Sequence, residues 1–210
     1  MNSDTRESHR DQAQKVTDAQ VADRAKRRLT GAGLGVPVLL TLMSRPAIGG
    51  QCLSNMLSGN LSDPDRGHCS KGWSPGGWGQ PGGTVGGLST LSAWTKAGFA
   101  YGTLKSGQNA NQWSSYKGGS KMAQLPFSWP DGLVSSELTM REVIANPTYS
   151  STTARSYAVA YLNACLSRAL SPSGFQYILT PEQVIGLING TIPLPPPYIS
   201  VKSFLHSTWD

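Results

Sequence analysis

All 17 aromatic residues of this 210-residue chain lie beyond residue 72, and the first 50 residues contain none. A packed core must therefore be C-terminal, because large buried rings supply much of the apolar surface that offsets the conformational entropy of folding. The opening segment has a different grammar. Residues 1 to 28 are polar and end in Arg24, Lys26, Arg27 and Arg28, and the 16 residues from Leu29 to Ser44 carry no charge. Gly31, Gly33, Gly35 and Pro37 interrupt that run, which falls short of the ~20 apolar residues a bilayer span requires. A basic stretch, a short apolar segment and the small residues Ala47 and Gly49 form the pattern of a cleavable export signal.

We therefore expect residues 1–49 to be an export signal, with no permanent membrane span, and the remainder to be periplasmic or secreted. The paired Arg27 and Arg28, with Arg45 near the cut, resemble a twin-arginine leader. Leu29, Thr30 and Gly31 depart from it, since that pattern has a bulky apolar residue two or three places after the arginines. Two other readings of the segment are an amphipathic helix over Asp11 to Arg28 leading into a buried Gly-rich stretch, and a basic arm on a membrane surface.

The net charge of +6 divides evenly. Residues 1–50 hold eight Lys/Arg against five Asp/Glu, and residues 51–210 hold ten against seven. No basic cluster of the kind that tracks a phosphate backbone appears, so nucleic acid is not an expected partner.

Export would place Cys52, Cys69 and Cys165 where disulfides persist. We expect Cys52 to pair with Cys69, since both flank the turn-rich Ser58-Gly59-Asn60 and Asp63-Pro64-Asp65 segments. Closing such a loop is worth about 3 kcal/mol in the chain-entropy model. Cys165 falls on the apolar stripe of an expected helix and reads as a small core residue rather than a reactive thiol. His68 beside Cys69 does not complete a four-ligand zinc set, and no metal or other cofactor is expected.

The expected fold class is mainly α with extensive irregular structure. Residues 50–132 form a loop-rich Cys/Gly/Trp region packed on three or four short helices within 133–210, both parts of one domain. Density of Gly and Pro from Ser70 to Ser120 argues against helix there, with short pieces possible in Leu88–Tyr101 and Asn111–Tyr116. Leu138, Val143 and Ile144 outline a short helix ended by Pro147, with Ser136 near its start. Ala154, Tyr157, Ala158, Tyr161, Leu162, Cys165 and Leu166 share one face of a helix over Thr153–Leu170, opposite Arg155, Ser156, Asn163, Ser167 and Arg168. Thr180-Pro181-Glu182-Gln183 is a capping box with Pro at the first helical position, and Gly190 suits a left-handed stop. The tail Ile199–Ser207 is expected to dock as a helix on the previous two. Pro195-Pro196-Pro197-Tyr198 copies a WW-domain ligand but reads here as a polyproline spacer.

Several motifs carry a wider resemblance. Pro37-Val38-Leu39-Leu40-Thr41-Leu42 with Arg45-Pro46-Ala47, then Leu57-Ser58-Gly59-Asn60-Leu61-Ser62, Ser74-Pro75-Gly76-Gly77-Trp78, Leu162-Asn163-Ala164 and Leu179-Thr180-Pro181-Glu182-Gln183-Val184-Ile185 stand in this order. Together they resemble a family of bacterial exported proteins with a twin-arginine-like leader. The likeness runs loosely over residues 26–207 and implies export, not a reaction. Where that family continues Ser-Pro-Gly-x-Trp towards His-Pro, this chain has Gly79-Gln80-Pro81, so no histidine is carried over.

Convergent titratable groups are scarce, and no nucleophile elbow, phosphate loop or dinucleotide fingerprint is present. No catalytic residue is expected. Trp73, Trp78, Trp94 and Trp113, with Trp129, either stack on a glycan or grip a partner from a Gly-rich frame, or form the core of that frame. The expected role is thus a structural or binding protein at the cell surface or in the periplasm, its partners the export machinery and an extracellular protein, a glycan or a second copy. The alternatives are an exported hydrolase of surface polymers and a subunit of an extracellular assembly.

Overall fold

A computed structural model describes residues 69–129, 135–171 and 174–209. The expected leader, its Arg27 and Arg28, and Cys52 lie outside these residues. Cys69 is described through its backbone alone.

The domain is a small mixed α/β structure, mainly helical, organised around one helix. Helix α4, Thr153–Leu170, follows helices α1 (Pro75–Gly79), α2 (Thr90–Lys96) and α3 (Met140–Ala145) and precedes α5 (Pro181–Ile188) and α6 (Val201–Ser207). The Thr152 hydroxyl caps α4 by accepting from Arg155 N, and its 18 residues span about 27 Å. Helices α1, α2, α3, α5 and α6 all pack against it. Small side chains at Ala154, Ala158, Ala160 and Ala164 let so many neighbours approach, and all four are buried.

Such a hub has no broad polar face. Ser156 and Asn163, expected on the solvent side of an amphipathic helix, are 2 % and 0 % exposed. The Asn163 amide is matched on both sides. Its Oδ1 accepts from Trp73 N at 2.9 Å and Trp78 Nε1 at 3.0 Å, while its Nδ2 donates to Trp73 O at 2.9 Å. A buried amide satisfied in this way replaces its lost water bonds. Gly72 makes the approach possible, since a Cβ there would stand 2.6 Å from the Asn163 amide.

The Gly/Trp-rich half holds short regular elements joined by turns. Pro75 opens α1, where its missing N–H costs nothing, and Ser74 O accepts from Trp78 N. One helical turn therefore forms where the glycine content predicted none, held by tertiary contacts of Trp78. Strands β2 (Thr84–Val85) and β3 (Leu88–Ser89) pair antiparallel around Gly86-Gly87, whose φ of 61° and 76° make a type I′ turn. Helix α2 follows at once, capped by the Ser89 hydroxyl and burying Thr90, Ala93 and Trp94.

Rings then run edge to face through this half: Trp78 on Trp94 at 6.1 Å, Trp94 on Tyr101 at 5.3 Å, and Tyr101 on Tyr116 at 5.0 Å between centroids. Their polar edges serve the backbone. Trp94 Nε1 donates to Trp78 O, and the Tyr101 hydroxyl donates to Gly79 O.

In the C-terminal part, α3 is opened by a capping box between Thr139 and Glu142, three residues later than the expected Ser136. Thr180 and Gln183 form the expected box on α5, with Pro181 at its first position and Gly190 left-handed at φ 72° beyond its end. Helix α6 buries Phe204 and Leu205, and α4 is its main support rather than α4 and α5 equally. Pro195–Tyr198 is a turn, not an extended spacer: Tyr198 N donates to Pro195 O, the Pro196–Pro197 bond is cis, and Tyr198 packs edge-on against Phe204. Strand β1 (Cys69–Ser70) pairs in parallel with β6 (Gln176–Tyr177), and Gly72 N donates to Thr208 O at 2.8 Å. The first described residues thus thread between β6 and the end of α6.

Candidate functional site

The aromatic chain ends at a hairpin. Strands β4 (Thr103–Leu104) and β5 (Tyr116–Lys117) pair antiparallel with Leu104 opposite Tyr116. Their loop, residues 105–115, closes on itself. Lys105 N donates to Ser115 O, Gln108 N to Lys105 O and Gln112 N to Asn109 O. Asn111 N donates to Asn109 Oδ1, the Tyr116 hydroxyl to Ala110 O, and Lys105 Nζ to Ser114 O. An Asx-type bond of this kind shapes a turn that a chain of amides would otherwise leave open.

The base of the hairpin is held by Arg141 of α3, a residue with no role in the expectations above. Only 3 % exposed, it donates from Nη1 to Tyr101 O at 2.9 Å and Gly118 O at 3.0 Å, and its guanidinium lies 5.8 Å from the Tyr101 ring centroid. Burial lowers its pKa. Glu142 does not turn inward to meet it. Its carboxylate accepts from Thr139 N and Oγ1 at the helix start, and those bonds, with Arg141 and Lys105 nearby, outweigh burial and keep its pKa low. Gly102 and Gly119 permit the clamp, at φ 127° and 107°, since a Cβ on Gly102 would meet Arg141 Nη1 at 2.4 Å.

Above this base the loop is polar and exposed. Residues 103–112 and Ser114 are exposed, and Trp113 is half-buried. Ser106 to Ser114 contains no ionisable side chain. The side-chain amides of Gln108, Asn111 and Gln112 make no hydrogen bond to another described residue.

Trp113 packs partly buried against the core, as do Trp73, Trp129 and Trp209, but the other tryptophans also have ring partners. Trp73 meets Phe175, Trp78 meets Trp94, Trp129 stacks on Tyr157, and Trp209 meets His206. Among the described residues, no aromatic ring contacts that of Trp113. Of the four expected binding aromatics, Trp78 and Trp94 are wholly buried and cannot stack on a ligand, because the core ring chain occupies both. Trp73 is half-buried and held through its backbone by Asn163. The structure does not bring the four to one surface.

His206 Nε2 lies 2.8 Å from Ser156 Oγ, but that serine is sealed between α4 and α6. Burial pushes the Cys165 thiol up to about 11, so at neutral pH it is protonated and a poor nucleophile. Tyr161 beside it is pushed up to about 12. A cavity of about 230 Å³ opens between the end of α4 and the start of α5, lined by Ser167, Arg168, Tyr177 and Thr180 among others. Arg168 at its edge pairs with Glu182. Among the described residues no cluster of three metal-ligating side chains occurs, and no helix is long and apolar enough to cross a membrane.

A charge pattern marks the same half of the molecule. No acidic residue stands between Asp65 and Asp131, whereas Lys71, Lys96, Lys105, Lys117 and Lys121 all do. Comparison with protein families, with curated proteins and with solved structures finds no match for this chain.

Proposed function

We propose that this chain is an exported binding protein, acting in the periplasm or outside the cell, and that the β4–β5 hairpin is its docking surface. The observation that carries this reading is Trp113: an indole outside the internal ring network, half-open, at the foot of an exposed loop of unsatisfied amides. The internal bonds, the buried arginine clamp and the Gly-permitted base stabilise the fold, and in a binding loop they also supply preorganisation. Export itself is supported by the leader pattern of residues 1–49, with Arg27 and Arg28 as its paired arginines.

The test is sedimentation of the full chain with isolated bacterial cell envelopes. Residues 108–112 are replaced by Gly-Ser-Gly in the comparison variant. The unmodified protein is expected to pellet and the variant to stay in solution while still unfolding cooperatively, its transition lowered only by loss of the loop's own bonds. Equal pelleting, or no pelleting of either, overturns the proposal.

A further inference from the structure

We infer that the ligand of this hairpin is an uncharged glycan; the inference rests on the docking role proposed for the loop. The chemistry of its surface is narrow. From Ser106 to Ser114 the side chains are hydroxyls, amides, one methyl group and one indole. A primary amide offers two donors and two acceptor lone pairs, and a vicinal diol offers the same pairing within one small span. Gln108 and Gln112 are exposed with no side-chain bond to another described residue and present that pairing outward, whereas the Asn111 amide lies against Gly82.

A polyhydroxylated ligand satisfies the amides that it desolvates. An apolar protein surface would leave them unpaired, at a cost per group comparable to a lost hydrogen bond. Protein interfaces also centre on a desolvated apolar cluster. Here the nearest large exposed aliphatic is Leu104 alone, at 40 %. Trp113 packs on the core and is half-exposed, and the part of its indole left open supplies apolar surface of the kind that the C–H groups of a sugar ring cover.

Charge argues in the same direction. Lys105 and Lys117 bracket the loop, but the Lys105 ammonium is bound to Ser114 O and lies near Glu142. With no acid on the loop and no ammonium at its tip, binding there draws little on ion pairing.

The experiment uses the same envelope sedimentation with three treatments and two variants. Protease digestion of the envelopes is expected to leave binding intact, and periodate cleavage of vicinal diols to abolish it. Raising salt from about 0.05 to 0.5 M is expected to change binding less than twofold, since neutral contacts are not screened. The double variant Gln108→Ala with Gln112→Ala, at two exposed positions, is expected to weaken binding about tenfold, and Trp113→Ala at least as much. Loss on protease treatment with resistance to periodate would identify a protein partner and overturn the glycan inference while leaving the docking surface in place. Loss at high salt would identify an anionic polymer held by the lysines and overturn it equally. Binding that ignores the replacement of residues 108–112 would remove both readings.

Discussion

Replacing Asn163 with Ala should cost this domain about 4–6 kcal/mol. The side chain is wholly buried and makes three hydrogen bonds, two as acceptor and one as donor. Its loss strands the Trp78 indole N–H where no water reaches, at about 1–3 kcal/mol, and leaves the Trp73 N–H and C=O in a partly open site at about 1 kcal/mol each. The emptied amide volume adds a further cavity cost of about 1 kcal/mol. Against a total stability of about 5–15 kcal/mol, urea unfolding followed by tryptophan fluorescence should show a midpoint lower by about 2 M. A second variant separates hydrogen bonding from volume. Asn163→Asp keeps the shape and both acceptor bonds but turns a carboxylate oxygen towards Trp73 O, where only the protonated acid can donate. Its folded-state pKa must therefore lie above the unfolded value of about 3.9. Stability is then fully present below that unfolded value and falls as pH rises through the folded one. If Asn163→Ala moved the midpoint by less than about 0.5 M, or if Asn163→Asp were equally stable at pH 4 and pH 8, the clamp would not be holding the Trp73–Trp78 segment to α4.

Other perturbations address the hairpin base, the thiol and the leader. Arg141→Met keeps the stem volume but frees the Tyr101 and Gly118 carbonyls, and should cost about 2–3 kcal/mol with faster hydrogen exchange at Thr103–Lys117. Exchange unchanged across the hairpin would show the clamp to be dispensable. The alkylation rate of Cys165, read by peptide mass, should keep rising with pH through 10 towards its value of about 11, where an ordinary thiol levels off near 9. Residues 1–50 fused to a reporter should direct it out of a bacterial cell in folded form. Replacing Arg27 and Arg28 together by Lys should retain it inside.

What the sequence disclosed and what it hid divide along the range of the interactions involved. The limits of α4 and the capping box of α5 rest on residues within four positions of one another, and those local rules held. Asn163 looked solvent-facing because its partners stand 85 and 90 residues away, and no periodicity records a bond of that separation. Helix α1 was missed for a related reason. Its glycines disfavour helix, and the compensating term is the burial of Trp78 against rings that arrive later in the chain. The pairing of β1 with β6, Cys69 opposite Gln176, is longer still. The expected disulfide between Cys52 and Cys69 falls outside the described residues.

The tryptophans show which part of the site was legible after all. Trp94 sits in Thr90, Ala93, Trp94 and Ala97, spaced as one helical face, and all four are buried. Trp113 stands between Asn111-Gln112 and Ser114-Ser115, with Ala110 the one apolar side chain among the eight residues before it. Treating both as equivalent indoles in a Gly-rich frame discarded that difference, although it was present in their flanks. The same logic separates stability from binding here. Asn163 and Arg141 are buried polar groups that bind backbone carbonyls, so lesions at either should unfold or loosen the scaffold. Gln108 and Gln112 lie outside every internal side-chain bond among the described residues, so their loss has little to act on except a ligand. A domain that unfolds at Asn163 and keeps its midpoint at Gln108 and Gln112, while binding follows the glutamines, would have its structure and its recognition in different hands.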